Sequence, residues 1–172
     1  MQILTVHHPV DAREQESLHQ FLEVVPTLVN PCSEEADIRH VTASAIVVSD
    51  DGDAVVLHLH KRLNMWLQPG GHIDAGEEIV AAALREAHEE TGLPVRHERQ
   101  DGVFVHLDVH PGPRGHTHFD LRYLVRAPHV APTPGAGESP EVRWFSWDEA
   151  QAVADAGLVG ALQATRALLG MG

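Results

Sequence analysis

Residues 71–93 read GHIDAGEEIVAAALREAHEETGL, and within them Glu86, Glu89 and Glu90 are spaced i, i+3 and i+4. On a helix of about 3.6 residues per turn, that spacing gathers the carboxylates within an arc of roughly 100°. Like charges so placed repel by about a few tenths of a kcal/mol per pair, so stability gives no reason for them. A hard divalent cation does. Magnesium takes oxygen ligands and commonly binds through carboxylates together with substrate phosphates. Val80, Leu84 and Ala87 read as the apolar stripe of the helix. Ala82 and Ala83 fall on its acidic side, where small side chains leave room for ions and substrate. Arg85 precedes Glu89 by one turn and can also reach back to Glu77, a structural ion pair in either direction. Gly92 is placed to stop the helix in the left-handed region, and Pro94 prevents it resuming. Ahead of the helix, Pro69-Gly70-Gly71 is a backbone with little Cβ bulk, able to approach a phosphate or to pack beneath the helix.

The stretch resembles the Nudix box, the signature of hydrolases acting on nucleoside diphosphates linked to another moiety. Gly71, Glu77, Arg85, Glu86, Glu89, Glu90 and Gly92 match its fixed positions, and Ala87 stands where a larger aliphatic residue is usual. The similarity covers residues 39–170. It implies an α/β fold: an α/β/α sandwich around a mixed β-sheet, forming a domain at 39–172 behind an N-terminal helical extension at 1–38. It also implies an enzyme, a magnesium-dependent hydrolase with Mn²⁺ as a substitute ion. The reaction would be water attack on phosphorus in the diphosphate linkage of a nucleotide, an oxidised nucleotide or a nucleotide conjugate.

Carried over by position, Glu86, Glu89 and Glu90 become metal ligands, and a glutamate from this group or a later loop the general base. Family members often take that base from a loop just before a tryptophan-bearing strand. Glu138, in a Pro/Gly-rich loop ahead of Trp144, is therefore the candidate, with Glu141 in reserve. A non-catalytic nucleotide sensor on the same fold is the alternative. Such modules often lose box glutamates and carry a DNA-binding domain, whereas this chain keeps the glutamates and shows no basic helix-turn-helix segment. The isoprenoid diphosphate isomerases of this fold use a cysteine inside the domain, and here Cys32 lies upstream of it. A His-rich metal buffer would need no box.

The 172 residues suit one domain with at most an appendage. A formal net charge of −13 argues against a nucleic acid polymer or an anionic membrane as partner. A small phosphate-bearing substrate is also an anion, so its attraction must be local and cation-assisted. Cys32 is the single cysteine, compatible with a reducing cytosol, and no signal peptide or long apolar run appears. A cytoplasmic location is expected.

Residues 11–25 read as a helix, with Asp11 and Glu14 as a capping box and Leu18, Phe21, Leu22 and Val25 as its stripe. This helix could pack in cis, cover the cleft or mediate a homodimer. Strands follow at 40–48 and 54–60 around the turn Asp50–Asp53. Val103, Val105, Leu107 and Val109 alternate onto one face, as do Phe119, Leu121, Tyr123 and Val125. Ser146 and Glu149 open a further helix, and a last one spans about 158–169. Fourteen histidines is high for this length, and His58 with His60 and His116 with His118 each share a strand face, as metal or phosphate contacts or as surface and hydrogen-bonded histidines. His116, His118, Asp120 and Arg122 share a strand face, where His118 and Asp120 are candidates for contact with phosphate or sugar. Lys61 and Arg62 could neutralise a distal phosphate, Arg62 through a bidentate fork, or simply end a solvated strand. Trp66 reads as core in preference to a base-stacking residue.

Overall fold

The computed structural model describes residues 7–171. The first six residues of the expected extension, and Gly172, lie outside the described residues. In chain order the elements are α1 (Ala12–Val24), β1 (Arg39–Ser49), β2 (Ala54–His60), β3 (Met65–Leu67), β4 (Gly70–Gly71) and α2 (Ile79–Thr91). They continue with β5 (Val103–Pro111), β6 (Thr117–Ala127), β7 (Val142–Ser146), α3 (Trp147–Val153) and α4 (Ala156–Leu168).

The long strand β1 is the axis of the molecule, buried along all but its first residue. It runs parallel to β6 over its whole length and antiparallel to β2 and β4, so the sheet is mixed, in the order β3-β2-β1-β6-β5. Its alternate residues feed different cores. Val41 and Ala43 face Leu18, Phe21, Ala82 and Ala83 of α1 and α2. Ile46 and Val48 face Trp147, Leu158, Ala161 and Leu162 of α3 and α4. Helices thus cover both faces, and the sandwich expected from the sequence is the fold observed.

Three sequence expectations need correction here. A β-bulge between Phe104 and His106 splits the row that β5 was expected to present. Val105 consequently packs with α3 and α4, whereas Leu107 packs with α1 and α2. Second, Asp11 caps α1 by accepting from the Glu14 amide at 2.8 Å, but Glu14 does not complete the box. Its carboxylate accepts instead from the amides of Val10 at 2.7 Å and Leu107 at 2.9 Å. Third, Ala82, Ala83 and Ala87 are fully buried against the sheet, while Val80 and Leu84 lie at the margin. The small side chains do not make room for ions; they let α2 dock closely on β1.

The destination of the Glu14 carboxylate explains how α1 is held. Strand β5 is a sheet edge, with outward amides that need partners. Glu14 takes the Leu107 amide, Ser17 Oγ takes the Val109 amide at 3.0 Å, and Arg13 Nε donates to Asp108 at 2.7 Å. The helix therefore packs in cis and closes the edge. Glu14→Ala leaves the Leu107 and Val10 amides without their acceptor, at about 1–3 kcal/mol for the buried Leu107 group and less for Val10, which is exposed. A loss of about 2–4 kcal/mol is expected in urea unfolding, with a smaller loss for Glu14→Gln.

Candidate active site

Helix α2 ends as expected. Gly92 caps it at φ 65°, its amide donating to the His88 carbonyl at 2.7 Å. The preceding loop is fixed by the sheet, since Gly70 and Gly71 lie antiparallel to Ser44 and Ala43. That pairing swings the two glycines under α2. The Gly70 amide donates to Glu90 Oε2 at 2.8 Å. A Cβ on Gly71 would stand 2.7 Å from the Glu86 carboxyl carbon, and one on Gly70 would strike the Ser44 side chain. The two positions should therefore respond differently. Gly70→Ala meets the strand backbone and is expected to destabilise the fold. Gly71→Ala meets only the end of a flexible side chain, so the fold should survive while Glu86 is displaced. We expect turnover to fall by about 10²-fold with the melting temperature little changed, read by kinetics alongside thermal unfolding.

The ridge has uncommon electrostatics. Burial pushes Glu90 up to about 8, against the pull of the Gly70 amide and with added repulsion from Glu86, Glu138 and Glu89. Burial also raises Glu86, although Arg85 opposes it. Glu89 stands at the solvent side, with half of its side chain exposed. Arg85 is the clamp expected of it: it donates to Glu77 at 2.9 Å, Glu86 at 2.8 Å, Glu89 at 3.2 Å and the His72 carbonyl at 3.0 Å. One guanidinium cannot neutralise this many carboxylates, and the excess negative charge lies on all-oxygen donors. That donor set and that uncompensated charge fit a hard divalent cation held by Glu86, Glu89 and Glu90.

Glu138 belongs to a loop tied to the end of α2, where the Gly135 amide donates to the Glu89 carbonyl at 2.9 Å and the Glu138 amide to the Gly135 carbonyl at 3.1 Å. It is close enough to raise both Glu86 and Glu90. Glu141 is exposed and paired with Arg143 at 2.5 Å. Arg62 sits exposed in the turn after β2 and makes no ion pair among the described residues. Trp66 packs against Phe145 with Arg143 over its ring, in line with a core role. Asp120 is 2% exposed and already accepts from Arg122 and Ser44 at 2.8 Å and Thr42 at 3.1 Å. Its oxygens are engaged inside the sheet layer, away from free solvent. His118 lies among His40, His72 and His110.

Sequence reasoning grouped His58 with His60 and did not place it beside Glu90. Burial lowers it to about 4, and its neutral ring stands 3.5 Å from Glu90 Oε1, a second wall of that carboxyl's enclosure. The only signal was its alternation with His60, and the strand pairing that turns it toward α2 is not a local property.

A family model described as NUDIX domain matches residues 38–164. In sequence the chain is similar to the phosphatase NudJ of Escherichia coli (strain K12). The two are 33% identical over 113 residues, spanning 64% of this chain and 70% of that one. In structure it is similar to a hydrolase of the NUDIX family from Clostridium perfringens, with TM-score 0.63 and 29% identity over 76% of this chain and 98% of that one. A MutT NUDIX hydrolase from Burkholderia pseudomallei gives TM-score 0.58 and 26% identity, covering 73% and 97% respectively.

Proposed function

The chain belongs to the Nudix hydrolase family, and from that premise we propose that it cleaves a diphosphate linkage in a nucleoside diphosphate-linked compound, with magnesium as its cofactor and manganese as a substitute. The observation that carries the reading is the pair Glu86 and Glu90, folded under Gly70–Gly71 with raised pKa values and one arginine among them. Bound at Glu86, Glu89 and Glu90, magnesium would supply positive charge against phosphate oxygens and make nearby water more acidic.

The chain's own groups do the rest. The Gly70 amide orients Glu90, Gly71 leaves the space that Glu86 occupies, and Arg85 keeps the ridge from splaying. Glu138, on its loop over the end of α2, takes the proton of the attacking water. The water oxygen bonds to phosphorus as the bridging oxygen departs with its electron pair. Arg62, exposed at the turn after β2, meets a distal phosphate. Asp120 is better read as the pivot of a buried polar network than as a substrate contact. The single cysteine, Cys32, suits a reducing cytoplasm as the place of action.

A phosphate-release screen with magnesium tests this. It should cover nucleoside triphosphates, oxidised nucleotides, ADP-ribose, nucleotide sugars and dinucleoside polyphosphates, with alkaline phosphatase added to reveal monophosphate products. Turnover of at least one class is expected, with Glu138→Gln lowering kcat by about 10²–10⁴-fold and leaving KM nearly unchanged. No turnover of any class with either ion would contradict the proposal. A fully active Glu138→Gln would move the base elsewhere.

A further inference from the structure

Three histidines far apart in sequence converge at the end of β1. The parallel register sets His40 beside His118, and the antiparallel run of β4 along β1 brings His72 back toward the same point. Ring centroids are 4.9 Å apart for His40–His118, 5.1 Å for His40–His72 and 5.4 Å for His72–His118. One ring nitrogen of each lies within 4.8 Å of those of the other two. We propose that His40, His72 and His118 form a binding site for a divalent transition-metal ion of the zinc class, distinct from the carboxylates of α2.

Several observations support it. The Nε2 atoms of all three rings are buried and lack a hydrogen-bond partner, whereas buried polar atoms almost always have one. His106 also has unpartnered ring nitrogens, but it does not join a metal-ligating cluster among the described residues. His40 is fully buried, and its Nδ1–H donates to the Asp37 carbonyl at 3.2 Å. That bond fixes the tautomer and leaves Nε2 with a bare lone pair, the arrangement that metal-ligating histidines show. Gly112 passes so near His118 that a Cβ there would strike Nε2, so the space against this nitrogen is kept clear of a side chain. Glu34 Oε2, which accepts from Arg114 at 3.1 Å, stands 3.6 Å from His72 Nε2 and adds negative charge beside the three rings.

The donor chemistry separates this site from the ridge. Imidazole nitrogens suit zinc, nickel or copper, while magnesium prefers oxygen. A tetrahedral ion with metal–nitrogen bonds of about 2.0–2.1 Å would draw its ligand nitrogens to about 3.3 Å apart, inward from the 4.8 Å that bounds them here. The ion would clasp β1, β6 and the segment between β4 and α2 at one point. His72 directly follows Gly71, so the clasp would also steady the loop beneath Glu86.

The test uses the full chain without a histidine tag, stripped by a chelator. Zn²⁺ is titrated in competition with a chromophoric chelator, and Co²⁺ is followed by its visible absorption bands. One ion per chain is expected, with the tetrahedral Co²⁺ spectrum, in the wild type and equally in the double variant Glu86→Gln/Glu90→Gln. Loss of a supporting shell alone weakens metal sites by about 10–100-fold. Removing a ligand by His40→Gln or His118→Gln should therefore weaken binding by about 100-fold or more. His72→Gln, at the partly exposed member, carries the same expectation and avoids a buried substitution. Failure of the folded wild type to compete for Zn²⁺ would overturn the proposal. So would binding that survives all three histidine variants, or that disappears only in the glutamate variant.

Discussion

Glu90→Gln is expected to lower turnover by about 10²–10⁴-fold and, in the same protein, to stabilise the metal-free fold at pH 8. The first effect follows from removing a charge that a cation would bridge to phosphate, worth several kcal/mol at about 1.4 kcal/mol per factor of ten. The second follows from burial. Glu90 is held near 8 in the folded chain, against an ordinary carboxylate value of about 4.3. Between those values the folded state keeps a proton that the unfolded state has lost. Stability of the metal-free wild type therefore falls as pH rises from about 5 through 8. Each pKa unit is about 1.4 kcal/mol, and screening at the open side of the ridge reduces the whole effect to on the order of 2 kcal/mol. Glu90→Gln should remove that slope, and magnesium should flatten it in the wild type by favouring the ionised form. Urea unfolding at several pH values, with and without magnesium, measures both. Near-normal turnover in Glu90→Gln at saturating magnesium would mean that Glu90 is not a ligand.

Arg122→Met is expected to be the most damaging substitution outside the ridge, costing about 3–5 kcal/mol. Arg122 is 3% exposed and donates to Asp120 at 2.8 Å, to Asp108 at 3.4 Å and to the Gly157 carbonyl at 2.7 Å. Both aspartates are buried, so removing the guanidinium strands charges that water cannot reach. Burial alone would raise both carboxyls. His110 and Arg13, with Arg122, hold Asp108 well below the usual range, and Arg122, His110 and Ser44 lower Asp120. Depressed values give stability that is present above about 3.9 and lost as pH falls below it. The deficit of Arg122→Met should thus be largest near neutral pH and shrink below about pH 4. A deficit independent of pH would mean that lost packing, not stranded charge, dominates.

Local periodicity explains what was legible beforehand. The span of α2, its stop at Gly92, the hairpin at Asp50–Asp53 and the capping box of Ser146 with Glu149 all depend on residues within a few positions of one another. What escaped depends on distant partners. Ala82 and Ala83 looked suited to the open side of the helix, yet docking on β1 buries them and carries Glu86 and Glu90 partly inward. One bulge residue turned Val105 to the opposite face from Leu107. Glu14 looked like half of a capping box, because nothing near it announces the bare edge of β5. Metal contact was one reading of His118, but its meeting with His40 and His72 was not legible, since strand register, not spacing, assembles the cluster.

The ridge on α2 is read as a cation site only because its carboxylates crowd beneath two glycines with too little positive charge around them. A crystal soaked in manganese with a non-hydrolysable methylene analogue of a nucleoside diphosphate tests that directly through anomalous scattering. The account predicts a manganese peak coordinated by Glu86, Glu89 and Glu90 and touching the analogue's phosphate oxygens. Manganese found only at the histidines, or a ridge with no anomalous peak while the analogue is bound, would contradict it.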